Sequence, residues 1–567
     1  MDGTNLSISV LQSIRRLTSL DSLSLSNCNL DGTFSDQGGL CEQVHLRKLD
    51  LSGNNLKGAL PSCFGNLTSL EVLDISSNQF SGNISLSPLK ALISIQQLYL
   101  SYNDFRIPIS LEPFFNHSKL KSFTCKNNDL YPETELYSLA PKFQLNSIRM
   151  SGCKGSCTFP KFLYHQHDLQ AVDLSHNNFT GVFPDWLLEN NTQLLHLVLL
   201  NNSLTGPLLM PIHSHLNLMT LDISINFFNG HIPAEVGAYL PGLTILNMSK
   251  NAFEGNIPSS IGDMNSLGSL DLSNNHLSGE IPEHLAEGCF SLRLLVLSNN
   301  SFQGQIFSAN FNLTNLLSLQ LDGNNFSGKI PDSLSNTSFI IGLYLSDNQL
   351  SGMIPSWLGN MSSLRDIIMP NNQLEGPIPP EFCHLKYLEV LNLAGNSISD
   401  IPSCFGPSSL KQVHLSRNRI QGELQDSFHN SSSLVTLDLG YNRINGSIPN
   451  WIGKTLGLVA QFSTFNASSY EGNPLLCGLP LPKSCDAIES PTLLPTNSSD
   501  IGEENDFMDM DIFYISFTVS YAIVLLTIVS VLFINPYWRR RWFYVVETWM
   551  TSFYYFVVDH LPKCHYI

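Results

Sequence analysis

The sequence predicts an α/β solenoid of stacked repeats, followed by one C-terminal transmembrane helix. The first observation is the motif LGSLDLSNNHLSGEIP at 267–282, in which Leu267, Leu270 and Leu272 alternate with polar residues, as in a strand buried on one face. The second is that this motif recurs at a fixed distance through most of the chain. The third is an uncharged stretch of 23 residues, Ile512–Ile534.

Each repeat carries an asparagine or cysteine that we expect to be buried, at a constant distance from its leucines. We call it the ladder residue. It recurs 18 times with an average spacing of about 24 residues, at Cys28, Asn54, Asn78, Asn103, Asn128, Cys153, Asn177, Asn202, Asn226, Asn251, Asn275, Asn300, Asn324, Asn348, Asn372, Asn396, Asn418 and Asn442. This period and leucine spacing are the signature of a leucine-rich-repeat solenoid, in which neighbouring repeats share one core. We expect each asparagine to hydrogen-bond backbone in the adjacent turns, because a buried amide without partners is costly.

Bulk composition excludes one class of function. The net charge is −18 with only 29 Lys and Arg, whereas a general nucleic-acid binder needs a basic face. No metalloprotease, phosphate-loop, nucleophile-elbow or dinucleotide motif occurs, and the 16 histidines are dispersed. Aspartates at one repeat position are interpreted as repeat consensus and not as catalytic pairs: Asp50, Asp74, Asp173, Asp222, Asp271 and Asp438. We therefore predict no enzymatic activity, cofactor or metal.

Sequons for N-glycosylation are dense, with 17 in the chain, which favours an extracellular, glycosylated surface. The predicted sites are Asn66, Asn83, Asn116, Asn178, Asn247, Asn312, Asn325, Asn336, Asn360, Asn430 and Asn445.

The twelve cysteines form no metal-ligand series. Cys477 and Cys485 lie just after the repeats and suit a terminal disulfide in an oxidising compartment. Cys28 and Cys153 are interpreted as ladder residues, since cysteine is small and tolerates burial. For Cys153 and Cys157, a small loop disulfide and the reduced state remain open alternatives.

At the N-terminus the sequence begins inside a repeat, with Thr4 at the ladder position 24 residues before Cys28. The first residues show neither the pattern of a secretory signal peptide nor that of a cap. We expect Met1 to be an internal methionine of a longer protein; the alternative is a natural start with a degenerate first repeat.

The motif Gly-x-Ile-Pro recurs at Gly230–Pro233, Gly255–Pro258, Gly279–Pro282, Gly328–Pro331, Gly352–Pro355, Gly376–Pro379 and Gly446–Pro449. It resembles the plant-specific class of leucine-rich repeat found in receptor kinases and receptor-like proteins. That resemblance implies a twisted superhelix with a parallel β-sheet on its concave side. The run EGNPLLCGLPL within Ala460–Cys485 is similar to the cap of receptor-like proteins.

The predicted divisions are repeats over 1–455, a degenerate last repeat and cap over 456–489, an acidic linker over 490–511, a transmembrane helix over 512–534 and a short cytoplasmic tail over 535–567. The last repeat would place Asn466 at the ladder position. Arg539, Arg540 and Arg541 follow the span, so the positive-inside rule places the tail in the cytoplasm and the repeats outside. The tail is too short for a kinase domain.

The chain departs from larger members of this resemblance. They interrupt the repeats with a non-repeat island and add about four repeats before the cap, as the resemblance implies, whereas Gly453 to Thr455 lead almost directly into it. In the family, as the resemblance implies, that region is implicated in co-receptor contacts.

Ligand binding is predicted on the concave face, at positions that deviate from the Ser and Asp consensus. The candidates are Tyr99, Lys126, Arg149, His196, Tyr344, Asp347, His414, Arg417 and Tyr441. Two patches stand out: Tyr344 with Asp347, and His414, Arg417 and Tyr441 on adjacent repeats. The alternative for each residue is ordinary polar surface.

The chain resembles a plant leucine-rich-repeat receptor-like protein of the disease-resistance (Cf-type) class. The resemblance implies a single-pass plasma-membrane protein that binds an extracellular peptide, protein or glycan in plant immunity and signals through a partner receptor kinase. Two alternatives are a developmental receptor-like protein for an endogenous peptide, and a truncated decoy or non-signalling product.

Overall fold

A computed structural model describes residues 3–7, 9–17, 19–34, 39–132, 140–153, 157–307, 313–403, 409–424, 428, 433–448, 467–478 and 480–485. The predicted linker, transmembrane helix and tail lie outside these residues. Among the residues described, none belongs to a helix of the length and hydrophobicity needed to cross a membrane.

A parallel sheet of 18 strands forms one face of the solenoid, which confirms the predicted solenoid with its parallel sheet. Each strand pairs in register with the strand one repeat later, as Ile245–Asn247 does with Ser269–Asp271. The strands are Ser22–Ser24, Lys48–Asp50, Val72–Asp74, Gln97–Tyr99, Ser122–Cys125, Ser147–Met150, Ala171–Asp173, His196–Val198, Thr220–Asp222, Ile245–Asn247, Ser269–Asp271, Leu294–Val296, Ser318–Gln320, Gly342–Tyr344, Asp366–Ile368, Val390–Asn392, Gln412–His414 and Thr436–Asp438. We call this sheet the concave sheet.

In the described part of the chain a second strand follows each ladder residue except Cys153, and these strands form three further parallel sheets. The first comprises Asp31–Thr33, Asn55–Gly58, Gln79–Asn83, Asp104–Pro108 and Asp129–Tyr131. The second comprises Thr180–Gly181, Ser203–Gly206, Phe227–His231, Ala252–Gly255, His276–Gly279, Ser301–Gly304, Asn325–Gly328, Gln349–Met353, Gln373–Gly376 and Ser397–Ile398. The third comprises Gln421–Glu423, Arg443–Ser447 and Leu475–Cys477.

Short helices complete the turns, many of them directly after the proline of the repeat. The α-helices are Val10–Ser13, Asp185–Asn190, Val236–Tyr239 and Glu283–Gly288. The 3-10 helices are Ile14–Arg16, Gly39–Glu42, Ser62–Asn66, Ile84–Leu86, Pro88–Ala91, Glu112–Phe114, Lys161–His165, Ser259–Asp263, Asp332–Asn336, Ser356–Asn360, Pro380–His384 and Ala467–Ser469. Proline lacks an N–H donor and has a fixed φ, so it suits the start of a helix.

The ladder asparagines hold the turns together, as Asn275 illustrates. Its Nδ2 donates to the carbonyls of Met248, Leu272 and Ser273 at 3.0–3.2 Å, and its Oδ1 accepts from the Phe253 N–H at 3.1 Å. Each bonded carbonyl or amide belongs to the same repeat or to the preceding one. The expectation of bonds to neighbouring turn backbone is therefore confirmed.

Two cysteines take ladder positions. Cys28 has no side-chain amide. Its N–H donates to Asn54 Oδ1 at 3.0 Å, and its Sγ donates to the Ser26 carbonyl. Thr4 Oγ1 lies 3.8 Å from Cys28 Sγ, as expected for the preceding ladder position. Cys153 is joined to Cys157 by a disulfide, which decides between the two alternatives left open above.

The end of the ladder differs from the sequence-based expectation. Asn473 donates through Nδ2 to the carbonyls of Leu439 and Tyr470, and its Oδ1 accepts from the Ile444 N–H at 3.0 Å. The ladder position assigned above to Asn466, which is outside the described residues, is thus taken by Asn473. The cap contributes a repeat of its own because its EGN sequence reproduces the turn that precedes every ladder asparagine.

Candidate functional site on the concave sheet

The register of the concave sheet aligns the third residue of each strand in one row across it, here called the strand row. Its members are Ser24, Asp50, Asp74, Tyr99, Thr124, Arg149, Asp173, Val198, Asp222, Asn247, Asp271, Val296, Gln320, Tyr344, Ile368, Asn392, His414 and Asp438. Four of the predicted binding residues, Tyr99, Arg149, Tyr344 and His414, therefore lie in this row, in which aspartate is the most frequent residue.

The aspartates of the strand row have a structural task. Asp222 Oδ1 accepts from the Ser224 N–H at 3.0 Å and from Ser224 Oγ, and Asp271 makes the same pair of bonds to Ser273. Such bonds close the turn after the strand. This geometry favours the interpretation of these aspartates as repeat consensus.

Burial raises the pKa of Asp222. Its hydrogen bonds to Ser224 oppose this rise in the pKa, and the nearby charges of Asp271 and Asp173 add to it. A carboxyl whose folded pKa is raised destabilises the fold once it ionises, so stability falls as the pH rises through that pKa. We expect Asp222→Asn, which copies Asn247 in the next strand, to raise the thermal midpoint at pH 7.5. The gain should shrink in acid, where the wild-type carboxyl is protonated. A gain independent of pH between 3.5 and 7.5 in thermal melts would contradict this account.

Tyr344 is positioned by the strands on either side of it. Its Oη donates to Asp366 Oδ2 at 2.8 Å on the next strand. A Cβ on Gly342 would lie 2.5 Å from Tyr344 Cε2, so this glycine makes room for the ring. Burial, the bond to Asp366 and the charges of Asp366 and Asp322 raise the pKa of Tyr344 to about 12. The phenol is therefore a fixed neutral donor.

The predicted pair of Tyr344 with Asp347 does not form a hydrogen bond within the described residues. Asp347 Oδ1 instead accepts from Asn371 Nδ2 at 2.7 Å. Both side chains bond forward to the next repeat, and Asp366 was missed as the partner of Tyr344. Asp366 begins the strand Asp366–Ile368, and the register places it directly beside Gly342. This position was the available sequence signal for its contact with Tyr344.

A second row, here called the turn row, lies immediately before the ladder residues, and its 18 members all have positive φ. They are Asn27, Gly53, Ser77, Tyr102, Asn127, Gly152, His176, Asn201, Ile225, Lys250, Asn274, Asn299, Gly323, Asp347, Asn371, Gly395, Arg417 and Tyr441. This conformation favours glycine and asparagine and costs other residues roughly 1–2 kcal/mol. Three predicted binding residues, Asp347, Arg417 and Tyr441, are held in it despite that cost.

The second predicted patch is partly assembled. The Arg417 guanidinium carbon lies 5.9 Å from the centre of the Tyr441 ring, a cation–π distance. Tyr441 remains 53% exposed, and Gly472 of the cap packs against it. His414 lies in the strand row between Asn392 and Asp438. Arg417 and Tyr441 thus present one joint surface at the C-terminal end of the sheet.

The N-terminal candidates are held by separate contacts. Lys126 Nζ forms an ion pair with Asp173 across two repeats, and this pairing holds the pKa of Asp173 below its usual range despite burial. Tyr99 Oη donates to Gln97 Oε1 at 3.1 Å, and His196 Nδ1 lies 3.1 Å from Thr220 Oγ1. Arg149 is exposed between Thr124 and Asp173.

Among the predicted glycosylation sites, all the described ones but one lie outside both rows. Disulfides join Cys477 to Cys485 and Cys41 to Cys63, and the second pair was not anticipated. The side chains of Asn66, Asn116, Asn178, Asn325, Asn336 and Asn360 are exposed, whereas those of Asn83, Asn247 and Asn445 are half-buried. Asn312 and Asn430 lie outside the described residues. Asn247 is the exception, because it belongs to the strand row.

Family sequence models match several parts of the chain. The family described as Leucine rich repeat matches residues 44–105, 217–277 and 341–398, and a second model, Leucine Rich Repeat, matches 168–190, 315–337 and 433–455. Cuscuta receptor 1 of Solanum lycopersicum is 38% identical over 41% of this chain, and Receptor-like protein 1 of Arabidopsis thaliana is 43% identical over 36%. Over these segments the chain is similar to plant receptor-like proteins with leucine-rich repeats. The matches span 21% and 19% of the length of those two relatives.

Solved structures resemble this chain over most of its length. The ectodomain of the Arabidopsis thaliana receptor kinase GASSHO1/SCHENGEN3, in complex with CASPARIAN STRIP INTEGRITY FACTOR 2, has a TM-score of 0.68 and 30% identity, covering 85% of this chain and 59% of that one. The Arabidopsis receptor kinase HAESA, in complex with the peptide hormone IDA and the co-receptor SERK1, has a TM-score of 0.65 and 28% identity, covering 86% of each chain. Both neighbours are leucine-rich-repeat receptors.

Within the described part of the chain, no group of three or more His, Cys, Asp or Glu side chains is arranged to hold a metal ion. The arrangement offers surface chemistry for binding: a neutral tyrosine donor beside a carboxylate, a stacked arginine and tyrosine, and an exposed arginine.

Proposed function

We propose that this chain is a cell-surface receptor-like protein whose concave sheet binds an extracellular peptide, protein or glycan. The single observation that carries the proposal is the likeness of its solenoid to receptor ectodomains solved with bound peptides, at 28–30% identity. The concave sheet is the extended curved surface that a solenoid offers to a ligand.

The residues proposed to contact the ligand form two stretches. The C-terminal stretch presents Tyr344 with Asp366 and Arg417 with Tyr441, and aromatic and arginine side chains are common anchors of interfaces. The N-terminal stretch presents Arg149, with Tyr99 two strands before it in the strand row. Fixed partners lower the entropy that these side chains lose on binding, because they are ordered beforehand.

The proposal extends to the membrane and to a partner. Residues 512–534 would anchor the chain in the plasma membrane with 535–567 in the cytoplasm, and signalling would pass through a receptor kinase, in plant immunity. A ligand shifts such an assembly only by binding the assembled state more tightly than the free one.

The test is expression of the full chain in plant cells with a C-terminal tag. We expect a large mobility shift on glycosidase treatment and co-precipitation of a transmembrane receptor kinase. A chain without glycans would contradict the extracellular placement. A glycosylated chain that precipitates no kinase would contradict the signalling part and favour a decoy.

Deletion of Ile512–Ile567 is a further prediction. The shortened chain should be secreted as a glycosylated, soluble ectodomain that no longer supports signalling in plant cells, since it lacks the proposed anchor. The secreted yield reports folding, and the kinase co-precipitate reports assembly. A truncated chain that still signals would overturn the role of the anchored partner complex.

A further inference from the structure

Asn247 is the one predicted glycosylation site that lies within the concave sheet. It is the last residue of the strand Ile245–Asn247 and begins the sequon Asn-Met-Ser. The register places it between Asp222 and Asp271 in the strand row. A modification here would stand on the proposed ligand-binding surface itself.

The hydrogen bonds of Asn247 leave its nitrogen available. Its Oδ1 accepts from the Ser249 N–H at 3.1 Å and from Ser249 Oγ at 2.8 Å. Among the described residues, Nδ2 has no hydrogen-bond partner. A sugar on Nδ2 therefore preserves both bonds that close the turn.

Two other sequons near the concave sheet differ in this respect. Asn201 Nδ2 lies 2.9 Å from His176 Nδ1, and Asn299 Nδ2 donates to Asn274 Oδ1 at 3.2 Å. Both belong to the turn row at the margin of the sheet. Asn247 thus combines a central position with an unengaged nitrogen.

The surroundings of Asn247 suit a sugar. Its strand neighbours Asp222 and Asp271 bind their own turn serines. Ile245 on the same strand is 43% exposed, and Met219, whose carbonyl accepts from the Ile245 N–H, is 42% exposed. These apolar side chains offer a surface for the apolar face of a pyranose ring.

We propose that Asn247 carries an N-linked glycan that covers the middle of the concave sheet and divides it into two separate ligand-facing halves. The Nδ2–C1 bond forms as the C1–O bond of a lipid-linked oligosaccharide diphosphate breaks. Nδ2 loses one proton and the lipid diphosphate leaves. The proposal rests on the extracellular placement proposed above.

The consequence for the ligand follows from spacing. Arg149 and Tyr344 each lie four strands from Asn247, on opposite sides, which is about 19 Å at about 4.8 Å per strand. A bulky glycan at the midpoint separates these two residues. A ligand on Tyr344 and Asp366 therefore does not extend to Arg149 along the strand row.

The first experiment measures occupancy of the sequons. The full chain is purified from plant cells and digested, and glycosylated and unmodified peptides are quantified for Asn247 and for the exposed sites Asn336 and Asn360. We expect at least tenfold more modified than unmodified Asn247. Modified Asn336 and Asn360 with bare Asn247 would overturn this inference alone, whereas three bare sites would contradict the extracellular placement.

The second experiment asks whether the glycan covers the sheet, with native methionines as reporters. The Met219 carbonyl accepts from the N–H of Ile245, two residues before Asn247 in the same strand, and Met353, 65% exposed, lies in Gln349–Met353 on a different sheet. We expect peroxide to oxidise Met219 several-fold faster in Asn247→Asp than in the wild type, with Met353 unchanged. Asn360→Asp is the matched control, since it removes a glycan without touching the concave sheet. An equal Met219 rate in Asn247→Asp and wild type would overturn the division of the sheet.

Discussion

Asn275→Ala should lower the free energy of unfolding of the solenoid by about 3–5 kcal/mol. The substitution leaves the Phe253 N–H without its side-chain acceptor in a buried turn, and it removes one of the two asparagine donors to each of the carbonyls of Met248 and Leu272. A buried polar group that loses its partner costs about 1–3 kcal/mol, and each further hydrogen bond lost costs about 0.5–1.5 kcal/mol. Urea denaturation followed by circular dichroism measures the loss. Hydrogen exchange should show the largest change in the repeats on either side of Asn275.

The matched control is His276→Ala, because His276 is the next residue and its side chain is exposed. We expect a change within about 0.5 kcal/mol for it. Asn275→Cys, which copies the residue at the first ladder position, should fall between the two. Equal stability of Asn275→Ala and His276→Ala would refute the account of the ladder.

Gly237→Ala should be nearly as damaging, for a steric reason. A Cβ on Gly237 would lie 1.7 Å from the carbonyl oxygen of Ser260 in the next repeat. Because both groups are backbone, neither can rotate away, and the two turns must separate. Overpacking typically costs about 1–3 kcal/mol, and we expect the upper end or beyond. The same urea titration measures it.

Gly268→Ala is the control for this prediction. Its added Cβ would lie 3.6 Å from the Thr244 carbonyl oxygen, an ordinary contact, and its φ is not in the left-handed region. We expect little loss. If Gly237→Ala unfolds at the same urea concentration as Gly268→Ala, the close approach of the turns does not control stability.

The periodic parts of the fold were predictable from the sequence, because every repeat must bury the same leucines and pair the same ladder residue. The leucine spacing predicted the strands, and the ladder position predicted the asparagine bonds of the kind made by Asn275. The cap was predicted less well. Asn473 follows Asn442 by 31 residues and not 24, so counting by period points to the wrong asparagine.

The candidate site was predictable only at the level of single positions. Departure from consensus identified Tyr344, but its partner Asp366 depends on the register of adjacent strands and on the space that Gly342 leaves. The proximity of Arg417 and Tyr441 follows from their occupying the same position in adjacent repeats. The left-handed conformation of the turn row has a weak sequence signal, the excess of Asn and Gly, which bulky members such as Ile225 obscure.

The hydrogen bonds of each ladder asparagine reach no farther than one repeat. Removal or duplication of one complete unit by recombination between repeats would therefore leave every remaining asparagine with the same kinds of partners, as long as the exchange keeps the reading frame and the length of the unit. Such exchanges would alter the length of the array and the distance between Arg149 and Tyr344 in steps of one strand, about 4.8 Å each. Unequal crossing-over would thus change the size of ligand that the concave sheet can accommodate, while the remaining repeats fold with the same hydrogen bonds as before.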